Sequence, residues 1–299
     1  MKNITAIIVT YHTPINIILS CLNSIDENIK VIIVENSEKF SSENLIKSKF
    51  KNVEILCSGL NLGYGAGNNL GLEKVRTDYA LILNPDTICE DKFFNNISTL
   101  IDDTENFSII GCQYLDDDIF MPAGFFDDKK NKEFSENFRN NKIKDLAKVD
   151  WVTGQSMLIN LKKFENKRIF DEKFFLYFEE FDLCKSLLLK GENVFSSNKL
   201  KIKHLGFKSS FDNDSINKKS VYRIREWHWM WSTFYFYKKN FNYFYALKKV
   251  MGKFVKSFLK TIFYSFTFNQ KEKEKYKYRF LGILSAVLGR PSNFRDNLK

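Results

Sequence analysis

The sequence predicts an α/β fold: a mostly parallel sheet with helices on both faces, followed by a basic helical extension. One observation predicts the sheet: short β-branched runs alternate with stretches of helical apolar spacing. A second observation, the scarcity of Pro (4) and Gly (13) among the 299 residues beside many large apolar side chains, predicts a well-filled core. Strand–helix alternation is typical of parallel sheets, whose strands are connected by crossovers that are usually helices. A third observation, the distribution of charge, separates the extension from the body.

Four short apolar runs in the first half are expected to form buried strands: Ile4–Val9, Val31–Val34, Val53–Leu56 and Tyr79–Leu83. The intervening stretches have helical apolar spacing: Ile15–Ser24, Ser42–Lys49 and Gly67–Val75. Residues 114–148 are polar and charged, which favours an irregular surface excursion. A further strand at Ser156–Asn160 and a helix at about Phe181–Lys190 complete the predicted body.

Charge divides the chain near residue 215. Residues 1–215 carry 27 basic and 32 acidic side chains, a net charge of −5, whereas residues 216–299 carry 19 and 4, a net charge of +15. Eighteen Phe, Tyr and Trp side chains lie between Tyr222 and Phe268. This change in composition predicts a body over 1–215 and a basic, aromatic-rich helical region over 216–299.

The cysteines and the apolar runs exclude several classes of protein. Five Cys without C-x-x-C spacing and only three His argue against a disulfide scaffold and a Cys/His zinc site. The run Ala6 to Val9 is shorter than a signal peptide needs, and no window reaches the ~20 apolar residues of a spanning helix. We therefore expect a cytoplasmic protein with reduced thiols.

Polar residues follow each of the first four predicted strands, where ligands of parallel sheets bind. They are Tyr11-His12-Thr13, Glu35-Asn36-Ser37, Gly59–Gly63 and Asn84-Pro85-Asp86. Five glycines between 59 and 71 could let backbone N–H groups approach a phosphate. Their spacing matches neither a dinucleotide fingerprint nor a Walker A loop, so the glycines alone favour a tight turn and a helix start.

Asn84-Pro85-Asp86 ends the fourth strand in a rigid turn that carries one carboxylate. A hard oxygen ligand beside a diphosphate suits Mg²⁺ or Mn²⁺, because these cations keep waters and share phosphate oxygens. The alternative is a turn that only caps a helix near Glu90, and turns of this composition are common.

Three carboxylates begin a predicted helix directly after the aromatic run Phe174–Phe178: Glu179, Glu180 and Asp182. Acidic side chains at this position complement the helix dipole. Beside an aromatic wall, a carboxylate also has a raised pKa and can act as a general base. His204 ends an apparent strand at Lys199–Lys203. A histidine without a recognisable motif around it is more often structural than functional, and we interpret His12 and His228 as structural.

Seven segments lie in one order along about residues 4–210. The first four are Ile8-Val9-Thr10-Tyr11, Val34-Glu35-Asn36-Ser37, Asn61–Asn69 and Leu83–Thr87. The other three are Trp151–Gly154, Phe170–Cys184 and His204-Leu205-Gly206. In this order and at this spacing they resemble the family 2 glycosyltransferases, and among them the rhamnosyltransferase-like branch. The resemblance implies a GT-A fold and inverting, metal-dependent transfer of a sugar from a nucleotide donor, with Mg²⁺ or Mn²⁺ as cofactor.

The resemblance also implies roles for individual residues. The donor nucleotide is expected to contact Thr10, Tyr11, Glu35, Asn61, Gly63 and Asn84. The metal ligands match Asp86 and His204, and the acceptor side matches Trp151 and Gly154. Glu180 falls at the family's catalytic base but replaces the usual Asp, which leaves the choice among Glu179, Glu180 and Asp182 open.

The resemblance favours dTDP-L-rhamnose as donor. UDP- and GDP-sugars are alternatives, because Glu35 replaces a usual Asp at the nucleobase position. The expected acceptor is a glycan, most simply a growing lipid-linked surface glycan. An inactive GT-A-like protein that binds a sugar or a partner is the alternative to an enzyme.

Residues 245–263 are expected to form a helix on an anionic membrane surface, at the inner face of the cell membrane. Four lysines line one helical face, at positions 249, 253, 256 and 260, and apolar side chains occupy most of the rest. The upstream aromatics suit a headgroup region: Trp227, Trp229, Trp231 and Tyr235. One alternative is that the apolar face packs on the body. Lysines among aromatics could also bind nucleic acid, but no such motif is present, so no nucleic-acid partner is expected.

Overall fold

The computed structural model describes residues 3–104, 106–114, 122–140, 142–143, 145–205 and 215–295. These residues form two compact units. The first contains the described parts of 3–62, 66–170 and 183–205, and the second contains those of 63–65, 171–182 and 215–295. The second unit thus includes two short segments that precede the charge boundary. Gly206 of the last motif lies outside the described residues.

The first unit begins with the expected alternation of strands and helices. In chain order the elements are β1 (Ile4–Thr10), α1 (Ile15–Asn23), β2 (Lys30–Glu35), α2 (Glu43–Lys49), β3 (Val53–Cys57), α3 (Tyr64–Lys74) and β4 (Tyr79–Leu83). The α1 helix buries one face, which consists of Ile17, Ile18, Cys21 and Leu22. This is the i, i+1, i+4, i+5 spacing of a helix that packs on a sheet.

The remaining elements before the C-terminal helices are β5 (Thr87–Cys89), α4 (Phe93–Asp103), β6 (Ile109–Tyr114), β7 (Ala123–Gly124), α5 (Asp128–Arg139), β8 (Leu146–Val149), β9 (Trp151–Val152), β10 (Ser156–Asn160), α6 (Glu179–Leu189) and β11 (Val194–His204). The prediction of an irregular excursion over 114–148 is wrong for α5 and β8. The α5 helix is capped by Asp127, whose side chain accepts the Lys130 N–H, and it buries a single aromatic, Phe134. One apolar anchor in a charged helix is too weak a pattern to predict it.

The main sheet has the strand order β3-β2-β1-β4-β10-β6-β11-β5, with β8 beside β11. The strands β3, β2, β1 and β4 pair in parallel, whereas β10 runs antiparallel to both β4 and β6. The predicted α/β class is confirmed. Because the first four strands are parallel, their carboxyl ends share one edge, which is where such sheets bind ligands.

Two glycines bring α3 close to the sheet. A Cβ atom at Gly71 would lie 2.7 Å from Cγ2 of Ile7, and one at Gly67 would lie 2.9 Å from Cγ1 of Val9. Both neighbours belong to β1, so any side chain at these positions would push the helix away. Most of the glycine-rich segment therefore forms a packed helix that starts at Tyr64, in agreement with the helix-start interpretation.

The second unit is built on three long helices: α7 (Ser215–Asn240), α8 (Tyr243–Phe266) and α9 (Gln270–Val287). Asn242 and Asn269 cap α8 and α9 by accepting backbone N–H groups. The predicted helical extension is confirmed. Its core contains Trp227, Met230, Trp231, Phe234, Ala246, Val250, Ile283 and Ala286.

The expectation that the tryptophans line a headgroup region is wrong for two of them. Trp227 and Trp231 are each 5% exposed, and Nε1 of Trp231 donates to the Arg290 carbonyl oxygen at 2.9 Å. Trp229 is 41% exposed, and Tyr235 donates its hydroxyl to Asp171. The spacing of Trp227 and Trp231 by four residues places both on the buried face of α7.

The α8 helix covers the stretch predicted for membrane contact. Its described apolar side chains that remain exposed are Phe244, Met251, Val255, Phe258, Leu259, Ile262, Phe263 and Phe266. Among the described helices, none combines the length and apolarity that crossing a bilayer requires.

Candidate active site

The first two strands end side by side, and their last residues are bonded to each other. Thr10 and Glu35 are partners in the parallel register of β1 and β2. The Thr10 hydroxyl donates to Oε2 of Glu35 at 2.5 Å, and the His12 backbone N–H donates to Oε1 at 3.3 Å. Thr10 and Glu35 are each 1% exposed. The Glu35 carboxylate therefore orders the turn after β1, in which Tyr11 is half-buried.

A tight turn follows β4. The Asn84 carbonyl oxygen accepts the Thr87 backbone N–H at 3.1 Å and also the Thr87 hydroxyl. The Asn84 backbone N–H donates to the Gln155 carbonyl oxygen at 2.9 Å. The chain then enters β5, so the alternative in which this turn caps a helix near Glu90 does not hold. The turn holds Asp86 at the carboxyl edge of the sheet.

Asp86 and His204 come together through strand pairing. β5 and β11 are antiparallel, with His204 opposite Thr87, and the Leu205 N–H donates to the Asp86 carbonyl oxygen at 2.9 Å. Nε2 of His204 lies 3.4 Å from Oδ2 of Asp86. Asp86 is 1% exposed, and its Oδ1 has no hydrogen-bond partner among the described residues.

This pair fits a divalent cation that is completed by a ligand. No group of three or more His, Cys, Asp and Glu side chains within the described residues could hold a metal ion. Mg²⁺ and Mn²⁺ are commonly bound through one or two protein ligands together with substrate phosphates and waters. A buried carboxylate oxygen without a partner is costly unless something binds it. Asp86 and His204 are therefore the residues at this edge of the sheet that could hold such a cation.

Tyr114 is a residue of this region that the sequence did not single out. Its hydroxyl lies 2.8 Å from Oγ1 of Thr153 and donates to Oε1 of Gln155 at 2.5 Å. Its ring lies 6.0 Å from the His204 imidazole, centroid to centroid. The backbone of Gln155 also holds the Asn84 turn, so Tyr114 connects the two halves of the Asp86 environment. Its only sequence signal is its position at the carboxyl end of β6.

Trp151 and Gly154 lie on and after β9, which pairs with β7. Trp151 is half-buried and Gly154 is buried. A Cβ atom at Gly124 of β7 would lie 2.5 Å from the Trp151 indole, so this glycine makes room for the ring. The indole is thus packed against β7 while part of the side chain stays exposed.

Gly63 requires glycine for two reasons. Its φ of +85° is in the left-handed region, and a Cβ atom would lie 2.1 Å from the Phe175 carbonyl oxygen. The next residue, Tyr64, donates its backbone N–H to the same oxygen at 3.0 Å. The start of α3 is thereby fixed to the aromatic run that precedes α6. Asn61, two residues before Gly63, is half-buried.

The three candidate carboxylates occupy the first turn of α6 in different environments. Glu179 is 2% exposed, and its Oε2 has no hydrogen-bond partner within the described part of the chain. Burial and the nearby charge of Glu180 raise the pKa of Glu179 well above its ordinary value. Asp182 is 3% exposed and accepts hydrogen bonds from Lys239 at 2.6 Å and Asn240 at 2.9 Å. Glu180 is half-buried.

The predicted residues therefore form four groups, two in each unit. In the first unit, Thr10 pairs with Glu35 and Asp86 pairs with His204. In the second unit, Gly63 contacts the aromatic run, and the carboxylates lie together on α6. The first unit thus contains a buried candidate cation ligand and an ordered strand-end turn, and the second unit contains a cluster of carboxylates.

The family model for glycosyl transferase family 2 matches residues 5–181. The chain belongs to this family. The match includes the donor-side and acceptor-side candidates, Asp86, Glu179 and Glu180, and it ends before Asp182 and His204. The predicted family is confirmed, and the chain is a glycosyltransferase.

Two curated relatives are glycosyltransferases. The rhamnosyltransferase WbbL of Escherichia coli (strain K12) is 26% identical over 197 residues, which cover 58% of this chain and 72% of the relative. The low-salt glycan biosynthesis hexosyltransferase Agl10 of Haloferax volcanii is 27% identical over 211 residues, which cover 65% of this chain and 64% of the relative.

Solved structures confirm the GT-A fold. The mannosyltransferase PcManGT from Pyrobaculum calidifontis, in complex with GDP-Man and Mn²⁺, aligns with a TM-score of 0.54 at 10% identity, over 97% of this chain and 88% of that chain. GalNAc-T7 with UDP, GalNAc and Mn²⁺ aligns with a TM-score of 0.53 at 8% identity, over 85% and 57%. At these identities the likeness concerns the fold.

Proposed function

We propose that this family 2 glycosyltransferase moves a sugar from a nucleoside diphosphate donor to a hydroxyl of a glycan acceptor, with inversion at the anomeric carbon. The observation that carries the proposal is the Asp86–His204 pair, with its buried carboxylate oxygen that lacks a partner. Rhamnose is the favoured sugar, supported by the relative named a rhamnosyltransferase. A nucleotide-sugar donor is supported by the fold neighbours, which were solved with UDP and with GDP-Man.

Asp86 and His204 are the proposed metal ligands. Mg²⁺ or Mn²⁺ would be held by their oxygen and imidazole nitrogen atoms, and the donor would supply phosphate oxygens. When bound, the cation neutralises the charge that grows on the departing diphosphate. The net charge of −5 over residues 1–215 supports this role, because the body offers no general excess of cations for a diphosphate.

The donor nucleotide is proposed to contact Thr10, Tyr11, Glu35, Asn61, Gly63 and Asn84. Both oxygens of the Glu35 carboxylate already bond the end of β1. Glu35 would therefore act on nucleobase binding partly by holding Tyr11 and His12 in their turn. Because Glu35 replaces a usual Asp, dTDP-, UDP- and GDP-sugars are all to be compared, with dTDP-L-rhamnose favoured.

Glu180 is the proposed catalytic base, which takes the proton of the acceptor hydroxyl as that oxygen attacks the anomeric carbon. The environments of its two neighbours support this choice. Glu179 is buried and its raised pKa favours the neutral acid, while Asp182 is held by Lys239 and Asn240. Glu180 is the most exposed of the three carboxylates. Trp151 and Gly154 are proposed to line the acceptor side.

The acceptor is proposed to be lipid-linked, and the enzyme to work at the inner face of the cell membrane through residues 245–263. The α8 helix exposes an apolar stripe from Phe244 to Phe266, which is about 33 Å of helix. The helix carries five lysines, and no Asp or Glu lies between Glu226 and Glu272. A helix with this pattern suits an anionic lipid surface, because its apolar side chains enter the interface while its lysines meet the headgroups.

The experiment that tests the proposed activity is a thermal-shift screen with dTDP-rhamnose and UDP- and GDP-sugars, each with and without Mn²⁺. We expect one nucleotide class to raise the Tm only when Mn²⁺ is present, because a ligand that binds the native state stabilises it. Incubation of that donor with glycan acceptors then reports transfer. Binding without transfer or hydrolysis would instead support the inactive sugar-binding alternative, and no binding of any donor would overturn the proposal.

The membrane proposal is tested by co-sedimentation with phosphatidylcholine vesicles with and without phosphatidylglycerol. We expect binding to the anionic vesicles, and its loss in the double variant Phe258→Ser/Ile262→Ser. The matched control is Leu45→Ser/Leu189→Ser, which removes two exposed leucines of the first unit. Binding to oligonucleotides without vesicle binding would favour the nucleic-acid alternative and overturn the proposal.

A further inference from the structure

The segment from Asp171 to Asp182, which carries the three carboxylates, belongs to the same compact unit as the C-terminal helices. Its backbone is unusual just before the carboxylates. Tyr177 and Phe178 have φ values of +70° and +72°, so two consecutive non-glycine residues are left-handed. Such conformations cost energy and persist only where the surroundings enforce them.

One face of α7 contacts the segment on both sides of the left-handed pair. The Ser232 hydroxyl donates to the Leu176 carbonyl oxygen at 2.8 Å, directly before Tyr177. The Trp229 ring lies 5.1 Å from the Tyr177 ring and 5.6 Å from the Phe178 ring, and Phe236 lies 5.4 Å from Phe178.

Lys239, farther along the same face, joins the two ends of the segment. Its Nζ donates to Oδ2 of Asp171 at 2.7 Å and to Oδ2 of Asp182 at 2.6 Å. The neighbouring Asn240 donates to Oδ1 of Asp182 at 2.9 Å. Both oxygens of the buried Asp182 are thus occupied by α7, and a single ammonium group connects residues at the start and the end of the segment.

These contacts recur along α7 at the spacing of one helical face: Trp229, Ser232, Phe236, Lys239 and Asn240. We propose that Ser232 and Lys239 are positioning residues for catalysis, which hold the left-handed turn that orients Glu180. The C-terminal helices then have a role in the chemical step, in addition to the proposed binding of a membrane surface. This inference rests on the proposed role of Glu180 as the base.

Positioning predicts an effect on turnover more than on donor binding. A base that is displaced by a fraction of an ångström loses rate, because proton transfer requires close alignment, while the donor contacts of the first unit are unchanged. We expect Ser232→Ala to lower kcat on the order of ten-fold with the KM for the donor unchanged. Lys239→Met should lower kcat further, and Lys239→Arg should restore most of it, because Arg keeps the charge and can bond both carboxylates.

The matched control is Thr233→Val on the next residue of α7. Thr233 is buried like Ser232, but its hydroxyl bonds the Trp229 carbonyl oxygen within the helix. We expect Thr233→Val to keep its kcat. Far-UV circular dichroism and the Mn²⁺-dependent shift with the donor nucleotide establish that each variant is folded and binds its donor.

Glu180→Gln, assayed in parallel, separates this inference from the proposed function. If Glu180→Gln is inactive while Ser232→Ala and Lys239→Met keep their kcat, the positioning inference is overturned and the base assignment stands. If Glu180→Gln retains turnover, the base assignment fails, and the positioning inference that rests on it fails as well. A rise in the donor KM with unchanged kcat in the α7 variants would also contradict positioning, since it would place their effect at the donor site.

Discussion

Nε2 of His204 lies 3.4 Å from Oδ2 of Asp86, and the other oxygen of this buried carboxylate has no partner within the described residues. The contact depends on the antiparallel pairing of β5 with β11, which sets His204 opposite Thr87. Two side chains from distant parts of the chain thereby present an imidazole nitrogen and a carboxylate oxygen at one place. The Tyr114 ring beside His204 completes this environment.

We predict that Asp86→Asn and His204→Ala remove the metal-dependent part of donor binding. Each substitution deletes one of two proposed protein ligands, and Asn also removes the negative charge that holds the cation. Isothermal titration of Mn²⁺ in the presence of the nucleoside diphosphate measures the loss, which we expect to exceed ten-fold in affinity. Asp91→Asn, at an exposed carboxylate of the β5–α4 connection, is the matched control. Unchanged Mn²⁺ affinity in both variants would contradict the assignment.

We predict that Glu180→Gln abolishes transfer while the donor still binds. The amide has nearly the shape of the carboxylate but cannot accept the proton of the acceptor hydroxyl, and general base catalysis contributes on the order of 10²–10⁴-fold. Single-turnover assays with saturating donor measure the rate, and the thermal shift with nucleotide and Mn²⁺ measures binding. Glu172→Gln, at an exposed position of the same segment, is the control. Near-normal turnover of Glu180→Gln would show that Glu180 is not the base.

The sheet was predictable because burial on both faces leaves continuous β-branched runs in the sequence. The predicted Tyr79–Leu83 and Ser156–Asn160 coincide with β4 and β10, and Ile4–Val9 falls one residue short of β1. The location of two candidate residues was predictable for a related reason. Ligand residues of parallel strands follow the strand ends, which places Glu35 and Asp86 at the ligand edge, whereas Thr10 and the roles of all three residues are implied only by the family resemblance.

What the sequence did not show depends on contacts between distant segments. Tyr114 reaches Gln155 only because β6 and β10 are neighbours in the sheet, and tyrosine at a strand end is not distinctive. Trp227 and Trp231 were expected at a surface, because a run of aromatics does not reveal that α9 covers them. The contacts of Lys239 with Asp171 and Asp182 could not be predicted either, because nothing in the sequence distinguishes this lysine from others in a basic region.

We predict that Glu179→Gln stabilises the protein increasingly as pH rises from 5 to 8. Burial and the nearby Glu180 raise the pKa of Glu179, so above its ordinary value of 4.5 the folded state holds a proton that the unfolded chain has lost. Stability therefore falls as pH rises through that window, by at most ~1.4 kcal/mol per pH unit. Gln stands in for the neutral acid and removes this slope.

Thermal unfolding of wild type and Glu179→Gln at several pH values measures the difference in Tm. Glu172→Gln serves again as the control, because its exposed side chain should leave the slope unchanged. If the difference in Tm between wild type and Glu179→Gln is constant with pH, Glu179 is ionised in the folded state and the prediction is wrong.

The opposite slope is predicted for His228, whose imidazole is 0% exposed. Burial is the main cause that lowers the pKa of His228 from 6.5 to about 3; the Phe294 carbonyl oxygen opposes the shift and Arg295 adds to it. Between these values the unfolded chain binds a proton that the folded state does not, so stability is lost as pH falls from about 6.5 towards 3, by at most ~1.4 kcal/mol per pH unit. Carboxylates titrate below pH 5, so the informative window lies above it.

His228→Gln tests this assignment, because an amide can keep a hydrogen bond to the Phe294 carbonyl oxygen, which lies 2.9 Å from Nε2 of His228, and it does not titrate. We expect the Tm of wild type to fall from pH 6.5 to pH 5 and that of His228→Gln to fall less. The His228 ring also lies 4.7 Å from the Phe175 ring, centroid to centroid, and the Phe175 carbonyl oxygen accepts the backbone N–H of Tyr64 at the start of α3. Donor KM should therefore rise with the loss of stability at pH 5 in wild type and stay nearer its neutral value in His228→Gln. Equal pH slopes in the two proteins would exclude His228 as the titrating group.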